Sequence, residues 1–278
     1  MVLSQGRLCQ SKKARNLIQM TASAPGSNLG RLLFGSSALA FGIITLILPD
    51  YYDWLLLHFT NAQIGRVFAI AASVAQIFGG AAIQFRGIAK TGAVVLGAVY
   101  LIISLLSVPQ IVASPLVYAP WGNFFEEFSL VTGAAIVYAS LSSRWTPETV
   151  DRVGRILFAV CAASFALFQG LYPNETNVLV PKWLPPNQIF WTVATTVFFG
   201  LACVAILINR MAVLASRLLT LMIVIFGLVV WLPSLFSDPH NHTNWTETAL
   251  NFAIAGAAWI LADFLAGYTV KDHSPAIA

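Results

Sequence analysis

Eight stretches of this 278-residue chain are apolar over a length that can cross a lipid bilayer, and no other feature constrains its fold so strongly. A membrane-crossing helix needs about 20 such residues, since lipid offers the backbone no hydrogen-bond partner. The stretches are 32–48, 63–85, 91–108, 124–142, 155–172, 188–208, 214–232 and 247–265. Pro, Asn, Asp, Arg or Lys interrupt them, as connecting loops require. Charged residues are only 9% of the chain and mean hydropathy is +0.78. A soluble domain carries about 25% charge, so soluble enzyme, nucleic-acid module and disordered linker are poor readings. The isolated cysteines Cys9, Cys161 and Cys203 supply no disulfide framework. The expected fold is an all-α polytopic membrane protein with eight transmembrane helices.

The basic residues choose an orientation. Arg7, Lys12, Lys13, Arg15 and Arg31 precede or open the first span, Arg86 and Lys90 join spans two and three, and Arg144, Arg152 and Arg155 join four and five. Arg210 and Arg217 join six and seven, and Lys271 lies in the tail, leaving only Arg66 and Lys182 on the opposite side. The positive-inside rule makes the crowded side cytoplasmic, with both termini there. The net charge of +4 thus reports topology, not a nucleic-acid partner. Ala22-Ser23-Ala24 precedes the first apolar run, so it is not read as a signal-peptide cleavage site. Tyr51, Tyr52, Trp54, Tyr118, Trp121, Trp183 and Trp245 gather at the outer interface, where amphipathic rings anchor.

An internal repeat emerges at an offset of 124 residues. Gly30-Arg31-Leu32-Leu33-Phe34 matches Gly154-Arg155-Ile156-Leu157-Phe158. The same offset pairs Pro49 with Pro173, Pro109 with Pro233, Pro115 with Pro239, and Trp121 with Trp245. Rare residues coincide too often for chance, which points to duplication. The expected organisation is a basic tail (1–29), a four-helix repeat (30–143), a linker (144–153), a second repeat (154–266) and a tail (267–278). Four spans per copy would set both copies in the membrane in the same direction. Small residues every fourth position, Ala71-Ala75-Gly79, Ala162-Ala166-Gly170 and Ala253-Ala257, are expected to let helices pack closely.

The Gly-Arg opening of each unit, the outer Pro181-Lys182-Trp183-Leu184-Pro185-Pro186 element and the Trp231-Leu232-Pro233 helix end resemble the DoxX-like family of bacterial membrane proteins. Most members are single four-helix units, so this chain looks like a fused pair. The resemblance implies residence in the inner (cytoplasmic) membrane. It also implies a non-catalytic subunit or partner of a quinone-linked redox complex, its partners being membrane lipids and a soluble or membrane oxidoreductase subunit. It transfers no catalytic set. The alternative is a small-molecule transporter or channel using the interface between repeats.

Charge at the bilayer centre costs at least about 2.5–3.5 kcal/mol and usually marks a pathway. None is expected here. Arg66 can snorkel, Asp263 lies near a helix end, and Glu126 and Glu127 open the fourth span. Asn123-x-x-Glu126 and Asn244-x-x-Glu247 read as capping boxes. Only Gln76 and Gln169 are expected deep. No catalytic constellation is visible: the histidines fall in loops or tails, and there is neither a Cys-x-x-Cys pair nor a Walker loop. No cofactor is evident, although a quinone between helices needs no signature. His240, His242 and Glu247, with Asp238, form a His-x-His and carboxylate group of the kind that holds zinc or copper. A hydrated outer loop explains them equally, so no metal is favoured. Arg31 and Arg155 serve positive-inside anchoring, or alternatively hold a phosphate head group or partner carboxylate bidentately.

Overall fold

The computed structural model describes residues 28–48 and 62–272, and every regular element among them is helical. The outer element at 49–59, including His58, lies outside the described residues, as do the basic N-terminal tail with Cys9 and the end of the chain with His273. Helix α1 spans Leu29–Ile47, α2 Ala62–Ala82, α3 Ala89–Leu106, α4 Val108–Ala113 and α5 Ala119–Ser140. Then follow α6 (Pro147–Leu171), α7 (Pro173–Asn177), α8 (Gln188–Leu207) and α9 (Ala212–Phe226). A π-helical turn, Gly227–Trp231, leads into α10 (Leu232–Ser237), and α11 (His242–Asp272) closes the fold.

Among the described residues, seven helical stretches are long and apolar enough to cross a membrane, rather than the eight expected. The missing one is α5. It has 22 residues, but Asn123, Glu126, Glu127, Ser129 and Thr132 dilute its hydropathy.

Local chemistry sets the helix ends. Thr146 accepts from the Thr149 amide at 3.3 Å to start α6, and Asn187 accepts from the Phe190 amide at 2.8 Å to start α8. Pro109 and Pro233 interrupt the third span of each half, because proline has no N–H and its ring collides with the carbonyl four residues back. In the first half the break separates α3 from α4. In the second it produces the π turn, with the Leu232 amide bonding Gly227 O five residues earlier. Elements α4 and α10 lie 124 residues apart at both ends. Trp121 donates to Pro115 O at 3.2 Å and Trp245 to Pro239 O at 3.0 Å, the same bond at the same offset.

The halves do not close as the two separate four-helix bundles expected. Each long helix packs on the next along the chain, and α11 closes the circuit on α1. Inside it, α5 and α11 pack on each other. Close-packed glycines explain the arrangement. A Cβ at Gly256 would stand 2.5 Å from the Phe34 backbone nitrogen, and one at Gly133 would stand 2.7 Å from the Ala257 Cβ. The close approaches to the α11 backbone at Gly256 and Ala257 are therefore made by α1 and α5, both from the other half. The expected small-residue stripe holds on α11, where Ala253 and Ala257 are buried, but only in part on α2. There Ala71 is exposed, and the contact with α1 runs through Ser73 and Gly80 against Gly42 and Gly35.

Candidate functional site

A cavity of about 180 Å³ opens between α5, α6, α8, α9 and α11. Phe165, Phe168, Phe199, Phe226 and Trp231 supply its aromatic walls, while Asn123, Glu126, Glu247 and Asn251 bring polar groups from α5 and α11. Gln169 adds an amide whose Oε1 accepts from the hydroxyls of Thr195 at 3.0 Å and Thr196 at 3.1 Å. Among the described residues, no Lys, Arg or His lines the cavity. The carboxyls of Glu126, Glu127 and Glu247 lie within electrostatic range of one another. Elements α6, α8 and α9 add no titratable group to the lining.

Two glycines and the π turn shape this space. A Cβ at Gly122 would stand 2.6 Å from the Phe168 ring, so the bare backbone of α5 seats that ring. A Cβ at Gly227 would stand 2.5 Å from Asn251 Oδ1. That oxygen is buried and has no hydrogen-bond partner. The π turn inserts an extra residue into the helical circuit, a device frequent at functional sites, and turns Trp231 into the cavity.

The expected capping boxes are absent. Pro120 lies in the first turn of α5, a place that suits proline, so the helix starts at Ala119, four residues before Asn123. Its free amides at Tyr118 and Ala119 donate to the Tyr172 hydroxyl at 3.1 and 3.2 Å, which relieves Glu126 of any capping duty. Likewise α11 begins at His242, and Asn244 donates to the carbonyls of Ser234 and Asp238 instead of capping. Both glutamates consequently lie beyond the first turn. Inside the fold, the titratable side chains of Glu127, Asp151 and Arg155 are each under 10% exposed. In the first half, Tyr100 hydrogen-bonds Gln76 near Glu127 and fills the interior with its fully buried ring.

Of the metal candidates, His240 is exposed, His242 is half-buried and Glu247 lines the cavity. Among the described residues, no group of three or more His, Cys, Asp or Glu is positioned to hold a metal ion. Arg31 and Arg155, each following a glycine and 124 residues apart, occupy different environments. Arg31 is half-buried and donates to Asn28 Oδ1 at 3.0 Å. Arg155 is consumed inside the fold. Its Nε and Nη2 donate to the two Asp151 carboxylate oxygens at 3.0 and 2.8 Å, and its Nη1 to the Ile206 and Leu207 carbonyls at 3.2 Å. Sequence reasoning missed Asn123, Glu126 and Asn251 as cavity residues. The available signal was Pro120, which moves the start of α5 and carries Glu126 inward. No family model matches this chain, and neither does any curated protein or solved structure.

Proposed function

We propose that this chain is a membrane carrier that binds a small organic cation in the Glu126–Glu247 cavity and exchanges it for protons. The observation that carries this reading is one aromatic-walled cavity lined by carboxyls from both halves and, among the described residues, by no basic side chain. In apolar surroundings an uncompensated charge is costly. A carboxyl there needs a proton or a cation, and the two compete for the same oxygens. An ammonium group gains further from the ring faces of Phe165, Phe168 and Trp231. In lipid nanodiscs, tetramethylammonium should bind the purified protein more tightly at about pH 8 than at about pH 5. Glu126→Gln and Glu247→Gln should each weaken binding about tenfold, corresponding to roughly 1.4 kcal/mol. Unchanged affinity in both variants overturns the reading.

A quinone-linked subunit is the second reading, favoured by an apolar groove that adjoins the cavity and by the Asn123 and Gln169 amides, which suit quinone carbonyls. In that case a quinone copurifies in mild detergent, and Glu126→Gln leaves it bound, because an amide still donates a hydrogen bond.

The carrier reading includes eight spans, with α5 as the eighth, and a tandem duplication of the DoxX-like type. The coincidence of α4 with α10 and the paired Trp–Pro bonds support the duplication. The seven apolar helices and the 22 residues of α5 support the span count. An even count puts both termini on one side, and the basic clusters make that side cytoplasmic in a bacterial inner membrane. Cysteines at exposed Asn174 and Asn241 should therefore react with a membrane-impermeant thiol reagent in intact cells. Labelling only after lysis reverses the orientation. With Arg155 occupied internally, Arg31 is the arginine of the pair suited to a lipid phosphate or a partner carboxylate.

A further inference from the structure

We propose that the cavity is loaded sideways from the lipid, through the seam between α8 and α9, and that its substrate is a single-tailed amphiphilic ammonium. The inference rests on the carboxylate cavity described above and adds the route and the class of substrate.

A groove of about 320 Å³ runs along this seam, walled by apolar side chains such as Phe198, Leu218, Leu221 and Ile225. It adjoins the carboxylate cavity, and Gln169, Thr195, Met222 and Phe226 form the wall that the two spaces share. The π turn also serves both spaces, with Val229 and Val230 on the groove and Trp231 on the cavity. One buried polar atom inside the groove lacks a partner: the hydroxyl of Thr192, whose residue is 4% exposed. An apolar trough beside a cavity of carboxyls and aromatic walls complements a molecule with a hydrocarbon tail and a cationic head. Small hydrophilic cations have no use for the trough.

The corresponding seam of the first half is shut. A Cβ at Gly79 would stand 2.8 Å from Leu96, and Gly92 is pressed against the backbone of Ile83. In the second half α8 and α9 form the loosest seam between consecutive long helices. Two seams built from the same plan thus differ in the way that lateral entry requires.

The test uses an alkyltrimethylammonium probe with a photoactivatable diazirine at the tail end, added to the full chain in lipid nanodiscs. Crosslinks should map to α8 and α9 around Leu218, Leu221 and Ile225, saturate with probe, and be competed by tetramethylammonium. Glu126→Gln and Glu247→Gln should reduce the saturable labelling about tenfold, and an uncharged tert-butyl analogue should give none. Leu221→Trp, which fills the groove, should reduce it similarly while leaving the thermal midpoint unchanged. Saturable, carboxyl-dependent labelling on other helices would overturn lateral entry and leave the cavity reading standing. Labelling that is insensitive to both carboxyl variants and to head-group charge would overturn the cavity reading itself.

Discussion

Asp151→Ala should destabilise the fold by about 3–5 kcal/mol, the usual effect of stripping the partner from a buried charge. Arg155 makes four hydrogen bonds, two to the Asp151 carboxylate and two to the carbonyls that end α8. Both side chains of the ion pair are only 10% exposed, so water cannot replace the lost carboxylate. Removing both charges, in Asp151→Ala/Arg155→Met, should recover much of that loss. Recovery stays incomplete because the Leu207 carbonyl loses its Arg155 partner and the Ile206 carbonyl keeps only backbone amides at the end of α8. Arg155→Lys should lie between, since a point charge cannot reproduce the fork that grips a carboxylate and two carbonyls together. Arg31→Lys, which loses one bond to Asn28, should change stability by less than about 0.5 kcal/mol. Thermal unfolding in mild detergent ranks the five proteins. An Asp151→Ala midpoint equal to that of the unmodified chain would show the pair to be idle.

That contrast between two arginines shows where sequence reading stops. Both follow a glycine in Gly-Arg segments 124 residues apart, and at that level they are equal. Their difference comes from the residue one turn earlier: Asp151 precedes Arg155, whereas Ser27 stands at the equivalent place before Arg31. The helix positions were legible because apolar runs bounded by proline and charge leave the backbone no other solution in lipid. Helix starts were less so. Reading Asn123 and Asn244 as caps put Glu126 and Glu247 at the membrane surface, when Tyr172, 53 residues from Ala119 in the chain, satisfies the amides that open α5. A cap supplied from so far away leaves no local pattern. The cavity was illegible for the same reason, since its walls come from six helices and its carboxyls from different halves. Nor does a run of four apolar spans reveal whether those four helices close on one another. That choice depends on which glycine faces which backbone.

The closure of α11 onto α1 can be tested at a single atom. Gly256→Ala should destabilise the protein by roughly 1–3 kcal/mol, and Gly256→Leu should abolish a monodisperse folded species in detergent. The added Cβ at Gly256 would stand 2.5 Å from the Phe34 nitrogen and 2.7 Å from its Cα, and backbone atoms cannot swing aside as a side-chain end can. The whole of α1 must move away, which also disturbs Gly30, where a Cβ would meet the Ile260 nitrogen at 2.7 Å. In lipid, helices gain from association mainly through such close packing, so a small separation removes much of the interaction. Gly267 provides the control on the same helix, because a Cβ there meets nothing within 4 Å. Gly267→Ala should stabilise by up to about 1 kcal/mol, the intrinsic helix preference of alanine over glycine. Truncating Phe34 to alanine should not rescue Gly256→Ala, since the obstacle is main chain. Full rescue would mean that the ring sets the α1–α11 distance, with the backbone approach its consequence.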